Sequence, residues 1–183
     1  MGVPKDPGPV MLFAGMLSGD PGLMDDVEKN LAEKYGGIHY RSEDLPWNYT
    51  TYYRKELGEG IRRRFIFFRD LIVPDEIVGI KLETNRIEGR YLRDEGGEPL
   101  RRINLDPGYL DPAKVVLVST KDFSHRIYLG SGIYGELTLT NIGGVFRPLP
   151  YTYPDYRAEE TLRIFNSIRG DSVLLRRRSR TSA

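Results

Sequence analysis

The chain has 183 residues, a length that suits one domain of ordinary size. Its net charge is +1, and its 39% hydrophobic and 29% charged residues are too apolar a mixture for a disordered chain and too polar a one for a membrane protein. The absence of cysteine and the presence of only two histidines exclude disulfides, thiolate nucleophiles, iron–sulfur clusters and multi-histidine metal centres. We therefore predict no cofactor.

The start of the chain carries no targeting signal that we recognise. Residues 1–9 are rich in Pro and Gly, predict an extended arm, and lack the basic start and apolar core of a signal peptide. The following apolar run, Val10–Leu17, is far shorter than the roughly 20 residues that span a bilayer. We expect a cytoplasmic protein without a membrane segment.

The first elements are a buried strand and an amphipathic helix. The run Val10–Leu17 predicts the strand. Asp20 is a good N-cap and Pro21 suits the first helical position. The helix continues with an apolar stripe and ends at two glycines: Leu23, Val27, Leu31, then Gly36 and Gly37.

The next elements are a strand at Arg63–Arg69 and a second helix that opens at Pro74. The apolar face of this helix recurs at steps of three and four residues: Ile77, Ile80, Thr84, Ile87 and Tyr91. Charged residues occupy its other side.

The second half of the chain predicts mainly strands. A short strand at 102–105 leads into a turn at Asp106-Pro107-Gly108, and 114–120 is apolar on both faces, as in a central strand. Strands at 125–129 and 133–139 flank a glycine-rich hairpin turn, and 145–149 adds a further strand.

A third helix begins at Asp155 and is predicted to end at Gly170. The remaining segment, 171–183, contains four arginines and predicts a basic, disordered tail. Because strands come in runs rather than alternating with helices, we predict an α+β fold. It is a single domain over 10–170, with a largely antiparallel or mixed sheet of about seven strands and about three helices.

The densest polar segment runs from Ser119 to Tyr128 and is the leading candidate site. Lys121 and Arg126 are suited to hold an anion, and Asp122 to orient His125 as a general acid or base. The alternative is a solvated hairpin with a structural ion pair between Arg126 and Glu136.

Strand alternation predicts further ligand-binding residues on the same sheet face as Arg126. They are Tyr128 and Tyr134, and Glu136 is expected on the same face. Asn104 and Asp106 precede the central strand and either line the rim of the same pocket or simply form a turn. A magnesium site made only of carboxylates from Asp106, Asp122 and Glu136 stays an open alternative, and the main prediction has no metal.

Nucleotide hydrolysis of the P-loop type is excluded, because no segment fits G-x-x-x-x-G-K-[ST]. The tyrosines at 49–53 and 151–156 suit base stacking or the covering of a sheet edge, but no basic stripe accompanies them.

Five segments together resemble one family. They are LFAGMLSGDPG from Leu12, the Tyr52-Tyr53 region, NLDPGYL from Asn104, STKDFSHRIYLGSGIY from Ser119 and TYPDYR from Thr152. They are similar to the prokaryotic domain-of-unknown-function 4416 family (DUF4416), over roughly residues 8–169. The resemblance implies a single-domain cytoplasmic protein of bacteria or archaea and implies no established activity.

The sequence thus predicts a protein that binds a small anionic ligand containing phosphate or a nucleotide, and leaves open whether it hydrolyses or transfers a group. The first alternative is a non-catalytic interaction module, such as a homo-oligomer formed through Tyr151 and Tyr153. The second is an accessory protein that binds RNA or DNA through the arginine-rich tail.

Overall fold

The computed structural model describes the backbone of residues 1–181 and the side chains of residues 1–175. Its strands are β1 Val10–Ser18, β2 Ile38–Arg41, β3 Leu45–Pro46, β4 Arg62–Ile72, β5 Arg93–Glu95, β6 Glu98–Leu100, β7 Asn104–Asp111, β8 Lys114–Ser119, β9 Ile127–Gly130, β10 Ile133–Ile142 and β11 Val145–Pro148. Its helices are α1 Pro21–Tyr35, α2 Arg54–Leu57, α3 Ile77–Arg90, α4 Pro154–Arg157 and α5 Glu159–Thr181, with a short 3₁₀ turn at Pro74–Glu76 before α3.

In the described part of the chain, nine strands form one antiparallel sheet. Its main path has the order β11-β10-β8-β7-β1-β4-β2, while β3 pairs with β4 and β9 pairs with β10. The hairpin of β5 and β6 stands apart from this sheet. These strands and helices confirm the predicted α+β class.

The sheet is covered on both faces because its central strands are apolar on both sides. Every residue of β1 is buried. Alternate residues such as Leu12 and Met16 pack with α1 and α3, whereas Met11 and Phe13 pack with α5. The two cores therefore lie on opposite sides of one central sheet.

Helix α1 begins where local signals predict. The Asp20 Oδ1 atom accepts a hydrogen bond from the Leu23 N–H at 3.0 Å, and Pro21 occupies the first helical position. The buried face consists of Leu23, Met24, Val27 and Leu31, and the helix ends before Gly36, whose φ is 89°.

The predicted turn at Asp106-Pro107-Gly108 is wrong. These three residues lie inside β7, which runs unbroken from Asn104 to Asp111. The chain instead turns at Pro112-Ala113, and the Asp111 Oδ1 atom accepts a hydrogen bond from the Ala113 N–H at 2.8 Å. Pairing with β1 over 104–110 keeps this Asp-Pro-Gly segment extended.

The predicted helix end at Gly170 is also wrong, because α5 continues to Thr181. The backbone of 171–181 is therefore helical rather than a disordered tail, while residues 182 and 183 lie outside the described residues. Ser172 is buried, and its hydroxyl donates to the Arg169 carbonyl at 2.8 Å within this helix. Gly170 is tolerated because a single glycine weakens a helix by only about 1 kcal/mol.

None of the helices in the described part of the chain combines the length and the apolar composition that crossing a bilayer requires.

Candidate functional site

A cleft opens where strands β7 and β8 separate. The two strands pair from Asp111↔Lys114 to Gly108↔Leu117, and the pairing goes no further. Beyond this point β7 stays paired with β1 as far as Asn104, and β8 stays paired with β10 as far as Ser119. Each strand thus keeps its outer neighbour, and the sheet is split between them.

Pro107 explains why the pairing stops. Backbone groups of alternate strand residues point to the same neighbour, and those of Leu105 point away from β1, into the split. Pro107 points the same way but has no N–H to donate to β8.

Side chains of helix α3 bond the β7 backbone where β8 no longer pairs with it. The Lys81 Nζ atom donates to the Leu105 carbonyl at 2.8 Å, and the Glu88 Oε1 atom accepts from the Leu105 N–H at 2.7 Å. The N–H and carbonyl groups of Leu105, on the unpaired edge of β7, therefore form hydrogen bonds with side chains of α3.

The cleft encloses about 130 Å³ of space that water can enter. Its α3 wall includes Lys81, Asn85 and Glu88, and aromatic side chains from the connecting segments, including Tyr53 and Tyr153, also line it. This volume resembles that of the roughly 150 Å³ cavity that holds a benzene ring in an engineered protein.

Arg63 forms the wall on the α5 side, where its side chain is buried. Its Nε and Nη2 atoms donate to the Asp155 Oδ2 atom at 3.0 and 2.7 Å, and its Nη1 atom donates to the Asp106 Oδ2 atom at 2.9 Å. Trp47 adds a hydrogen bond from its indole nitrogen to the same Asp155 oxygen at 3.2 Å. The wall therefore holds one cation between two carboxylates.

The pKa values of two carboxyl groups in the cleft, those of Asp106 and Glu88, are shifted in opposite directions. Burial alone would raise the pKa of Asp106, but the positive charges of Arg63 and Lys81 bring it below its usual value. Burial raises the pKa of Glu88, because Lys81 and the backbone N–H of Leu105 compensate only partly for its lost hydration.

Two lysines that line the cleft have no carboxylate partner within 4 Å among the described residues. Lys81 is 6% exposed, and the Leu105 carbonyl is the acceptor that the described part of the chain offers its ammonium group. Lys121 is exposed, and its Nζ atom lies 5.7 Å from the centre of the Tyr52 ring. Both ammonium groups thus retain N–H donors for a ligand.

One residue that lines the cleft, Tyr156, carries a hydroxyl group without a partner among the described residues. The Tyr156 Oη atom is buried and makes no hydrogen bond with the described residues. Its ring packs against Phe65 and lies under the Arg63 guanidinium, whose carbon is 5.6 Å from the ring centre. Burial raises the pKa of Tyr156 well above its usual value, so the group is a protonated donor at neutral pH.

The structure brings four of the predicted site residues to this cleft. Lys121, Arg126, Asn104 and Asp106 all line it. The two segments that we singled out, 104–109 and 119–128, therefore meet at one concave surface, as the pocket alternative for Asn104 and Asp106 predicts.

Arg126 is buried in a hydrogen-bond network rather than free to grip an anion with its whole guanidinium. Its Nε atom donates to Glu136 at 2.8 Å, and its Nη2 atom donates to the Tyr153 hydroxyl at 2.7 Å. Its Nη1 atom donates to the Ser119 hydroxyl at 3.2 Å and to the Lys121 carbonyl at 2.9 Å. The Arg126–Glu136 ion pair of the structural alternative is therefore present, but it is buried rather than solvated.

Four other predicted residues do not line the cleft: Asp122, His125, Tyr128 and Tyr134. Tyr128 and Tyr134 pack edge to face with their ring centres 5.3 Å apart. His125 stacks on Tyr151 at 4.5 Å.

The predicted partner of His125 is wrong. The His125 Nε2 atom lies 3.3 Å from Glu136, whereas Asp122 is exposed. Residues 125 and 126 precede the short strand β9, so simple strand alternation did not give their directions.

The carboxylates of the alternative magnesium site do not come together. Asp106 bonds Arg63, Glu136 bonds Arg126, and Asp122 is exposed. Throughout the described part of the chain, no three His, Asp or Glu side chains are grouped closely enough to hold a metal ion.

Sequence reasoning missed several residues of the cleft: Arg63, Lys81, Glu88, Asp155 and Tyr156. The signal that existed was on α3, where Lys81, Asn85 and Glu88 recur at steps of four and three residues and so share one helix face. The pattern does not separate a polar face that contacts solvent from one that lines a cleft, and in the structure Lys81 and Glu88 are buried.

The fold and the cleft define a class of protein: an α+β protein whose central antiparallel sheet is split to form a charged pocket. The chain belongs to the DUF4416 family, described as a domain of unknown function, whose family model matches residues 8–171. This match confirms the resemblance seen in the sequence motifs. Comparisons with curated proteins and with solved structures give no significant match.

Proposed function

We propose that this protein binds a small ligand with an anionic group in the cleft between β7 and β8. The observation that carries the proposal is the buried ammonium group of Lys81, which lines the cleft without a carboxylate partner among the described residues. Asp106 and Glu88 interact with this charge without contacting it within 4 Å, so an anion that enters the cleft can pair with it directly.

Two further features support an anionic ligand. Lys121 adds a second unpaired ammonium group at the same cleft. The carboxylates that line the cleft form hydrogen bonds with arginines or with the β7 backbone. Neither lysine is therefore bonded to a carboxylate of the described residues. Phosphate esters, including nucleotides, are the first ligands to test, and the proposal keeps the cytoplasmic location expected from the sequence.

Proton transfer is not part of this proposal. His125, the predicted general acid or base, does not line the cleft, and its ring is stacked on Tyr151 and directed toward Glu136. The roles of His125 and Asp122 in catalysis stay predictions, as do the interaction-module alternative and nucleic-acid binding by the arginines at 176–180, whose side chains lie outside the described residues.

The test is thermal unfolding of the wild type with inorganic phosphate, phosphorylated metabolites and nucleotides. A ligand at 100 times its Kd adds about 2.7 kcal/mol to the free energy of unfolding. We expect the stabilisation to be lost in Lys81→Met and kept in Lys34→Met, a matched change at an exposed lysine that pairs with Glu83 on the surface. If no anion stabilises the wild type, the proposal is overturned.

A further inference from the structure

The unpartnered hydroxyl of Tyr156 indicates what the cleft binds besides an anion. A buried polar group that makes no hydrogen bond costs about 1–3 kcal/mol, and native proteins contain few of them. The ring of Tyr156 packs against both Phe65 and Phe165 and lies under Arg63, so the hydroxyl position is fixed. Because Tyr156 lines the cleft, a bound molecule can supply the missing partner.

Gly15 allows this hydroxyl to lie close to the backbone of β1. A β-carbon added to Gly15 would lie 2.9 Å from the Tyr156 Oη atom and 2.8 Å from the Arg63 Nη1 atom. Two hydrogen-bond donors therefore converge above the backbone of β1 at a residue that has no side chain. Any larger residue at position 15 would push one of them aside.

This part of the cleft is unsuited to a second anion. Arg63 bonds both Asp106 and Asp155, so the three charged groups together carry −1. An anionic oxygen placed beside them would meet repulsion from two carboxylates. A neutral hydroxyl avoids this repulsion, because it can accept from Tyr156 and donate to the carboxylate of Asp106.

We propose that the ligand is a small hydroxylated acid, whose anionic group binds Lys81 and Lys121 and whose hydroxyl accepts a hydrogen bond from Tyr156. This inference rests on the proposed function and narrows it. The cleft volume of about 130 Å³ fits a molecule with a carbon chain of a few atoms. The anionic group is a phosphate or a carboxylate, and both forms meet the same lysines.

The experiment compares matched probes that differ in hydroxyl groups. Glycerol 3-phosphate is paired with n-propyl phosphate, and glycerate is paired with propanoate, and binding is measured by isothermal titration calorimetry. In the wild type we expect the hydroxylated member of at least one pair to bind at least tenfold more tightly. The pair that shows this preference identifies the anionic group.

The variant Tyr156→Phe removes the hydroxyl and keeps the ring. We expect it to reduce the preference for the hydroxylated probe to less than threefold, while the affinity for the probe without hydroxyls stays within twofold of wild type. Its melting temperature should not fall, because the lost hydroxyl makes no hydrogen bond with any residue whose side chain the structure describes. Tyr40→Phe, a matched change outside the cleft at a ring that packs on Phe67, should keep the preference.

The outcomes separate the two proposals. If neither pair, nor inorganic phosphate, nor any nucleotide binds the wild type, the proposed function fails. If anions bind but both members of each pair bind equally, or if the preference survives in Tyr156→Phe, the present inference is overturned and the anion site stands. A Tyr156→Phe variant that melts at a much lower temperature would show that the hydroxyl has a structural partner, which also contradicts the inference.

Discussion

Two neighbouring arginines of β4 point to opposite faces of the sheet and meet different surroundings. Arg64 faces α1, and its Nε, Nη1 and Nη2 atoms donate to the carboxylates of Asp25, Glu28 and Asp44 at 2.6 to 3.0 Å. Arg63 faces the cleft, where it pairs with carboxylates beside a hydroxyl group that has no partner among the described residues.

The comparison teaches that a dense cluster of charges is not by itself a sign of function. Around Arg64 each guanidinium nitrogen already has an acceptor, so a ligand would have to displace existing bonds. At the cleft, Lys81 and Tyr156 retain donors that the described residues do not use. Unused donors in a concave site, rather than charge density, distinguish the two regions.

The largest expected effect follows from removing Arg64. The variant Arg64→Met removes a buried guanidinium group that three carboxylates share. We expect the free energy of unfolding to fall by about 3 kcal/mol. Urea denaturation at pH 7 measures this loss. Arg41→Met, which removes an exposed arginine from the same cluster, should cost less than about 1 kcal/mol. Equal losses in the two variants would contradict the comparison.

A smaller effect is expected from Asp106→Asn. The pKa of Asp106 is below its usual value of 3.8, so the carboxylate stabilises the fold above that pH and loses its contribution as the pH falls through the lowered value. We expect the variant to be less stable by roughly 1–2 kcal/mol at pH 7, with a difference from wild type that shrinks below about pH 4. Urea titrations from pH 7 to pH 2 test this, and Asp122→Asn, at an exposed position, is the control.

A still smaller effect separates two tyrosines of the cleft. The hydroxyl of Tyr153 accepts a hydrogen bond from Arg126, so Tyr153→Phe should lower the free energy of unfolding by about 1 kcal/mol. Tyr156→Phe should leave it unchanged or raise it. Chemical denaturation of both variants under one condition measures the two changes in the free energy of unfolding. An equal loss in the two variants would contradict the conclusion that the Tyr153 hydroxyl has a structural partner and the Tyr156 hydroxyl has none among the described residues.

The smallest expected effect is on the stability of Lys81→Met. The variant loses one hydrogen bond to the Leu105 carbonyl, but it replaces a buried ammonium group with an apolar side chain of similar length. We expect a change in the free energy of unfolding of less than about 1 kcal/mol, measured at pH 7. A loss near that of Arg64→Met would mean that Lys81 is structural, like Arg64.

The sequence predicts the elements whose signals are local. Asp20, Pro21 and the stripe of α1 locate that helix, because capping and burial act within a few residues of one another. Strand β1 is predicted for a similar reason, since it is apolar on both faces and buried throughout.

Elements that depend on distant partners are predicted less well. Asp106-Pro107-Gly108 has the composition of a turn, yet pairing with β1 holds it extended. Gly108 fits there because a β-carbon would lie 2.4 Å from the Val116 carbonyl oxygen and 2.6 Å from the Phe13 ring. The partner strand β1 is distant in the sequence, so no local signal reveals it.

The site shows the same limit. Lys121, Arg126, Asn104 and Asp106 could be chosen because they flank one central strand in the sequence. The burial of Lys81 could not be predicted, because it follows from the split between β7 and β8, and that split depends on the register of four strands.

The bonds between α3 and Leu105 give the molecule a natural spectroscopic reporter. The N–H of Leu105 donates to Glu88, and the carbonyl of Leu105 accepts from Lys81. Any occupant that draws the ammonium group away must alter the electronic environment of that strand residue, so the ¹³C=O chemical shift of Leu105 records occupancy even when no reaction follows.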